Sequence, residues 1–199
     1  LSQVERETMA WLSVFQGGFD RAAAEGLLPD GSTEARPSAA DLLTSLRQKS
    51  LLRTWEDVTL PGVPRYGMYE LIRAYAADKL TASGQRMAAE ARHRDFVLDR
   101  GAALAARLHQ ADGARSLREL ALEGDNLLAV LRRALEAPTD GLAAARALAV
   151  LEALWSNRGV LAVHHELADA VVAAASETGA AASAALSRAA IRRLGGRLP

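Results

Sequence analysis

Residues 51–69 read LLRTWEDVTLPGVPRYGMY, and this stretch decides the fold class of the first part of the chain. Its two ends, residues 51–56 and 65–69, concentrate aromatic and β-branched side chains, which favour strands. The loop between them, DVTLPGVP, is rich in turn formers. The pattern predicts two antiparallel strands joined by a loop.

Helical periodicity surrounds this strand pair. Residues 4–15 place apolar side chains along one helical face, Asp20 offers an N-cap for a short second helix, and Ser38 begins a third helix that runs to about Gln48. After Glu70 the helical spacing of apolar residues returns. Three helices followed by a two-stranded wing is the element order of a winged-helix domain. We therefore predict a winged-helix domain over residues 1–84.

From Gln85 to the end the pattern is helical throughout. The predicted helices cover residues 86–109, 113–123, 125–137, 141–158, 160–176 and 180–194. Such short loops pack neighbouring helices antiparallel, and small residues at the crossings suit a tetratricopeptide-like (TPR-like) hairpin of about 34 residues. We predict a helical connector over residues 85–138 and the start of TPR-like repeats over residues 139–199. The whole chain is therefore predicted to be mainly α, with an antiparallel helical array after the winged helix.

The composition excludes several classes of protein. The chain has 199 residues, with 24 Lys and Arg against 24 Asp and Glu and no cysteine. Without cysteine there is no disulfide scaffold, thiolate metal site or cysteine nucleophile, which fits a reducing cytoplasm. No segment matches a signal peptide or the roughly 20 apolar residues of a membrane span. We therefore expect a cytoplasmic protein with no membrane partner. Because Leu1 is not an initiator methionine, we also expect that the chain is a fragment of a longer protein.

The search for catalytic and metal-binding patterns is negative. The sequence lacks a G-x-x-x-x-G-K-[ST] phosphate loop, a G-x-G-x-x-G turn and a G-x-S-x-G nucleophile elbow. The neighbours His164 and His165 point about 100° apart on a helix, so they cannot face one metal from the same turn. We predict no catalytic residue and no metal-binding residue, and hence no enzymatic activity within the chain.

A winged-helix domain raises DNA binding as a hypothesis. The third helix, residues 38–49, would be the recognition helix, and its end offers Arg47, Gln48 and Lys49, followed by Arg53. Residues 1–80, however, hold nine Lys and Arg against eleven Asp and Glu, a net charge of −2, whereas domains that neutralise several phosphates are basic. The wing loop is acidic and apolar as well. The charges therefore favour a protein contact over DNA, and a DNA-binding transcription factor is the alternative.

Longer strings of residues resemble one family. The run LLTSLRQKSLLRTWED, the run RYGMYELIRAYAADKLTASGQ, the upstream LSVFQGGFDRAAAEGL and the downstream LRELALEGDNLLAVLRRALE resemble the winged helix and connector of large bacterial signal-transduction ATPases. These are the STAND or NB-ARC-like proteins, which include regulators related to the LuxR and SARP families. In them a nucleotide-binding domain precedes the winged helix and tetratricopeptide repeats follow it. The resemblance spans nearly the whole chain.

The resemblance implies a non-catalytic module of a nucleotide-controlled switch. The winged helix would contact an ATP- or ADP-binding domain of the parent protein outside this chain, and the repeats would bind a protein, peptide or ligand. Relatives carry a Met-His-Asp triplet whose histidine lies near the nucleotide phosphate, and the matching residues here are Met68, Tyr69 and Glu70. Tyr69 is therefore the candidate cofactor-binding position, with tyrosine in place of the family's histidine. No cofactor is expected within the chain itself.

Overall fold

The structure, a computed structural model, describes residues 1–29, 37–137, 139–159, 161–175 and Arg188. Within these ranges the chain forms nine helices and one two-stranded antiparallel sheet. It divides into two compact units, Leu1–Phe96 and Val97–Pro199. The predicted fold class, a winged helix followed by a mainly helical array, is confirmed. The finer boundaries at residues 84 and 138 stay predictions.

The first unit contains the three helices and the wing that the sequence predicts. Its elements are α1 (Gln3–Leu12), α2 (Arg21–Leu27), α3 (Ala39–Gln48), β1 (Arg53–Glu56), β2 (Pro64–Gly67), α4 (Glu70–Ala82) and the first half of α5 (Arg86–Ala106). Helix α1 begins with a capping box, in which Ser2 Oγ accepts from the Glu5 N–H at 3.2 Å and the Glu5 carboxylate accepts from the Ser2 N–H at 2.7 Å. Such reciprocal caps fix where a helix starts, because they satisfy backbone donors that have no partner inside the helix.

The wing is a short antiparallel ribbon whose second strand also pairs with Phe19. Strand β1 runs beside β2 from Arg53 opposite Gly67 to Glu56 opposite Pro64. The Phe19 N–H donates to the Tyr66 carbonyl at 2.9 Å, and the Tyr66 N–H donates back at 2.7 Å. This one-residue bridge between α1 and α2 places the wing beside the helices.

Both strands are shorter than predicted. Strand β1 lacks two predicted residues at its start, and β2 lacks two at its end. The reason is that the outermost residue on each side, Leu51 and Tyr69, takes part in a helix end. Ser50 takes a left-handed φ of 58°, and the Leu51 N–H donates to the Leu46 carbonyl at 3.0 Å, which closes the last turn of α3. At the other end, Tyr69 is the N-cap residue of α4.

Trp55 attaches the wing to the turn between α1 and α2. Gly18 has a φ of 81°, and a Cβ added there would lie 2.5 Å from Trp55 Cη2. A Cβ added at Gly67 would lie 3.0 Å from the same ring. The indole therefore lies directly on two stretches of backbone. The core beneath consists mainly of leucine, alanine and phenylalanine side chains from the helices and from the turn between α1 and α2: Leu12, Phe15, Phe19, Ala23, Leu27, Leu43, Leu46, Ala76 and Leu80.

In the described part of the second unit, every secondary-structure element is a helix. It contains the second half of α5, then α6 (Gly113–Leu122), α7 (Gly124–Glu136), α8 (Gly141–Arg158) and α9 (Ala162–Ala175). Helix α5 ends at residue 106, three residues earlier than predicted, and the other helices keep their predicted bounds to within two residues. The predicted helix over residues 180–194 lies outside the described residues except for Arg188. The TPR-like repeat stays a prediction.

A buried polar cluster marks the start of α7 in this unit. Glu123 is 1% exposed, and its carboxylate accepts from Asn126 Nδ2 at 2.9 Å, while Asn126 itself is fully buried. Arg100 Nε lies 3.7 Å from the same carboxylate. Glu123 and Asn126 thus have a structural role at the start of α7, since each buried polar group meets a partner.

Candidate functional site

The end of α3 presents the polar residues predicted for DNA contact. Arg47 and Gln48 lie in its last turn and are exposed, and Lys49 is the C-cap residue. The opposite face of the helix is buried through Leu43 and Leu46. The helix is therefore held by its apolar face, and Arg47 and Gln48 lie at the surface where a partner can reach them.

Lys49 differs from its two neighbours because its ammonium contacts a buried carboxylate. Lys49 Nζ donates to Glu5 Oε1, and Ser45 Oγ donates to the same oxygen at 2.5 Å. The hydrogen bonds from Lys49, Ser45 and the Ser2 N–H lower the pKa of Glu5 to about 2. Glu5 is therefore ionised at neutral pH, and one of the candidate DNA-contacting cations is already neutralised within the fold.

Arg53 is not part of the Lys49–Glu5 contact. It lines a cavity in the first unit. Its guanidinium lies 4.9 Å from the centre of the Trp55 ring, a cation–π distance. The cavity measures about 240 Å³ and lies between the end of α1, the wing and the start of α4. Tyr69 also lines it and is 55% exposed. The structure thus brings Arg53 and Tyr69 together, whereas Arg47, Gln48 and Lys49 do not line this cavity.

The cavity combines apolar walls with charged residues. The aromatic rings of Phe15, Phe19 and Trp55 contribute to its lining. Glu70 and Arg73 line it as well, and they pair with each other through two hydrogen bonds of 2.5 and 3.3 Å. Because Glu70 neutralises Arg73, the cavity offers less positive charge than its two arginines indicate.

The wing carries acidic residues towards the solvent. The loop between β1 and β2 has no Lys or Arg. Glu56 accepts from the Gly62 N–H at 3.2 Å, and Asp57 accepts from the Thr59 N–H at 2.7 Å. These carboxylates stabilise the loop, and they also repel phosphate groups at this edge of the domain.

Of the two neighbouring histidines, His164 packs on an aromatic side chain. The His164 ring stacks on Trp155 with ring centres 3.9 Å apart and an angle of 4° between the planes. Its Nδ1 accepts from the Leu161 N–H at 3.0 Å. Burial, with a smaller contribution from His165, lowers the pKa of His164. Among the described residues no group of three or more His, Cys, Asp or Glu side chains could hold a metal ion, and none of the described helices is long and apolar enough to cross a bilayer.

Comparisons with known proteins agree with this geometry. A sequence model described as the winged helix-turn-helix domain matches residues 1–81. The matched residues contain the three helices and the two-stranded wing of the first unit, in agreement with the winged-helix fold. Proteins from Mycobacterium bovis and Mycobacterium tuberculosis, assigned by name to the HTH-type transcriptional regulators, are 36% identical to the chain over 132 residues. The match covers 65% of the chain and 14% of each relative, so the chain spans a small part of the curated relatives it matches. No solved structure matches the chain significantly.

These matches support a winged-helix regulator, and they do not support the expectation that disfavoured DNA as a partner. Sequence reasoning also missed the contacts of two residues of the domain, Glu5 and Trp55. Glu5 shows itself in the sequence only as the third residue of a capping box, because its contact with Lys49 joins residues far apart in the chain. Trp55 was predicted only as a strand residue. The two glycines that its ring packs against, Gly18 and Gly67, are the only sign of that contact in the sequence.

Proposed function

We propose that the chain is a non-catalytic binding segment of a transcriptional regulator, and that its winged helix contacts duplex DNA through α3. The winged helix-turn-helix match over residues 1–81 is the observation that carries this proposal, together with the names of the mycobacterial relatives. Arg47 and Gln48 supply the chemistry. A guanidinium bonds to phosphate or to guanine, and an amide bonds to adenine.

The charges of the domain determine the DNA affinity that we expect. Residues 1–80 carry a net charge of −2, and the wing adds carboxylates in place of the basic residues that would follow the phosphate backbone. Each phosphate contact contributes about 0.9 to the slope of log affinity against log salt. With Arg47 as the principal exposed cation of α3, the slope should be shallow and the affinity modest.

The test is fluorescence anisotropy of labelled duplexes with the whole chain between about 50 and 200 mM salt. The variant Arg47→Gln should weaken binding and reduce the salt slope by about 0.9, because it removes one phosphate or base contact. The matched control is Arg115→Gln, which removes one charge from an exposed ion pair on α6 in the second unit. Absence of salt-sensitive binding at 50 mM salt, or equal losses in both variants, overturns the DNA proposal.

A protein contact is the second candidate, and the same charges favour it. Its finer form follows the STAND resemblance: the winged helix would couple a nucleotide-binding domain of the parent protein to TPR-like repeats that sense a partner or ligand. The cavity beside Tyr69 supports this form, because the phenol can donate one hydrogen bond to a phosphate oxygen. Arg73 supports it less, since Glu70 already holds its guanidinium.

This second candidate predicts an effect on nucleotide binding in the parent protein. Tyr69→Phe should weaken ADP binding there, measured by the release rate of a fluorescent ADP analogue. The control is Tyr75→Phe, which removes the same hydroxyl from an exposed tyrosine on α4. If the parent protein binds no nucleotide, or if both variants release it at the wild-type rate, this form of the proposal fails.

A further inference from the structure

Glu5 is a buried acid that lies just beneath the surface of α3 that the DNA proposal uses. It is 6% exposed and lies in the first turn of α1, yet its carboxylate contacts the end of α3. The capping box explains the hydrogen bond from the Ser2 N–H. It does not require the two further donors, Ser45 Oγ and Lys49 Nζ, which come from the helix that carries Arg47 and Gln48.

The geometry places opposite charges at the surface and just beneath it. The side chain of Lys49 is 44% exposed, and that of Glu5 is 8% exposed. A phosphate that approaches Lys49 therefore meets an ammonium that already has a carboxylate as its partner. To transfer Lys49 to the phosphate, the domain would have to leave Glu5 with only its two neutral donors, and a buried carboxylate that loses its cation is strongly disfavoured.

We propose that Glu5 limits the DNA affinity of the winged helix by holding Lys49 away from the phosphate backbone. This inference rests on the proposed DNA function and adds a residue that regulates its strength. It also gives a second reason, beside the net charge of the domain, for the modest affinity that we expect. Arg47 and Gln48 are available to the duplex, whereas Lys49 acts as part of the α1–α3 contact.

The central experiment compares Glu5→Gln with the wild-type chain in the anisotropy assay. Glutamine keeps the shape and can still accept from the Ser2 N–H, but it no longer holds Lys49 as an ion pair. We expect the salt slope to steepen by about 0.9 and the affinity at 50 mM salt to rise about tenfold, since one more phosphate contact forms. The matched control is Glu7→Gln, which removes the same charge from an exposed position on the same helix, where Glu7 accepts only from Gln3 Nε2. An equal gain in both variants overturns the inference, because it would reflect net charge alone.

Two further measurements separate this inference from the DNA function itself. In the double variant Glu5→Gln with Lys49→Gln, the gain should disappear, and a gain that persists overturns the inference. If the wild-type chain binds DNA through Arg47 while Glu5→Gln adds nothing, the inference fails and the DNA function stands. If the wild-type chain does not bind but Glu5→Gln does, the restraint by Glu5 is supported and the DNA function of the wild-type chain is overturned. If neither binds, both proposals are overturned.

A chemical readout keeps the inference testable even if Glu5→Gln does not fold. The chain has two lysines, Lys49 and Lys79, and both are exposed. Acylation by an amine-specific reagent, mapped by mass spectrometry, should modify Lys49 several-fold more slowly than Lys79 in the folded wild-type chain, because the Glu5 carboxylate holds the Lys49 nitrogen in a hydrogen bond. Equal rates overturn the inference, since a freely reacting Lys49 would also be free to contact phosphate.

Discussion

Helices α3 and α4 end in related turns, but one turn uses serine where the other uses glycine. Ser50 has a φ of 58° and Gly84 has a φ of 72°. At the end of α3 the Ser50 N–H donates to the Arg47 carbonyl at 2.9 Å, and at the end of α4 the Gly84 N–H donates to the Thr81 carbonyl at 3.0 Å. A left-handed backbone costs a residue with a Cβ about 1–2 kcal/mol, whereas glycine adopts it freely. We therefore expect Ser50→Gly to stabilise the first unit.

The magnitude follows from two opposing terms. Relief of the backbone strain gains about 1–2 kcal/mol, and the greater freedom of glycine in the unfolded chain loses about 0.5–1 kcal/mol. The Ser50 side chain is exposed, so its removal costs no packing. The net gain should be about 0.5–1 kcal/mol, or a Tm rise of about 3–6 °C for a unit of this size.

The assay is urea unfolding of the whole chain, followed by tryptophan fluorescence, with the midpoint and the slope fitted separately. Gly84→Ser is the matched reverse change, and it should cost about 1 kcal/mol because a Cβ at Gly84 meets nothing within 4 Å and the loss is purely conformational. If Ser50→Gly leaves the midpoint unchanged while Gly84→Ser lowers it, the left-handed Ser50 is not strained and the reasoning is refuted.

Three further predictions concern polar groups that are buried or half-buried. Because the folded pKa of Glu5 is lowered to about 2, the ionised carboxylate contributes its full stability above about pH 5 and loses it as the pH falls towards 2. Urea midpoints measured across this range should therefore fall less steeply for Glu5→Gln than for the wild-type chain. Because the pKa of His164 is lowered in the folded chain, the unfolded chain takes up a proton first as the pH falls, and stability should decrease below about pH 6.5. His164→Asn can still accept from the Leu161 N–H, and it should reduce the dependence of the urea midpoint on pH. Glu123→Ala should cost about 1–3 kcal/mol in thermal unfolding, since it leaves the buried Asn126 amide without its carboxylate acceptor; a loss below 0.5 kcal/mol would contradict this.

The fold was predictable because its signals are local. The turn formers between the two β segments and the apolar spacing of the helices lie within a few residues of one another, so the order of the elements can be read directly. The strand ends were predicted wrongly because Leu51 and Tyr69 carry strand-like side chains but serve helix ends. Ser50 gave no sign of its left-handed backbone, since serine rarely takes that conformation.

The candidate site was predictable only in part, because its contacts join distant segments. Arg47 and Gln48 could be placed on the exposed end of a helix from their spacing alone. The neutralisation of Lys49 could not be foreseen, since Glu5 is 44 residues away and reaches it only after α1 packs on α3. The cavity that joins Arg53 to Tyr69 likewise depends on the pairing of β1 with β2. Net charge therefore could not show which lysine is paired inside the fold, and the expectation that it gave against DNA is not supported by the comparisons.

Because the Trp55 indole packs on Gly18 and Gly67, its intrinsic fluorescence can report movement of the wing. Any outward movement of the wing must lift the indole from Gly18, which lies outside the wing, and expose that face of the ring to water. In a chain in which Trp11 and Trp155 are replaced by phenylalanine, the emission of Trp55 alone would report this step. A red shift on adding DNA, nucleotide or a protein partner would then show that the wing opens when that partner binds, without any attached label.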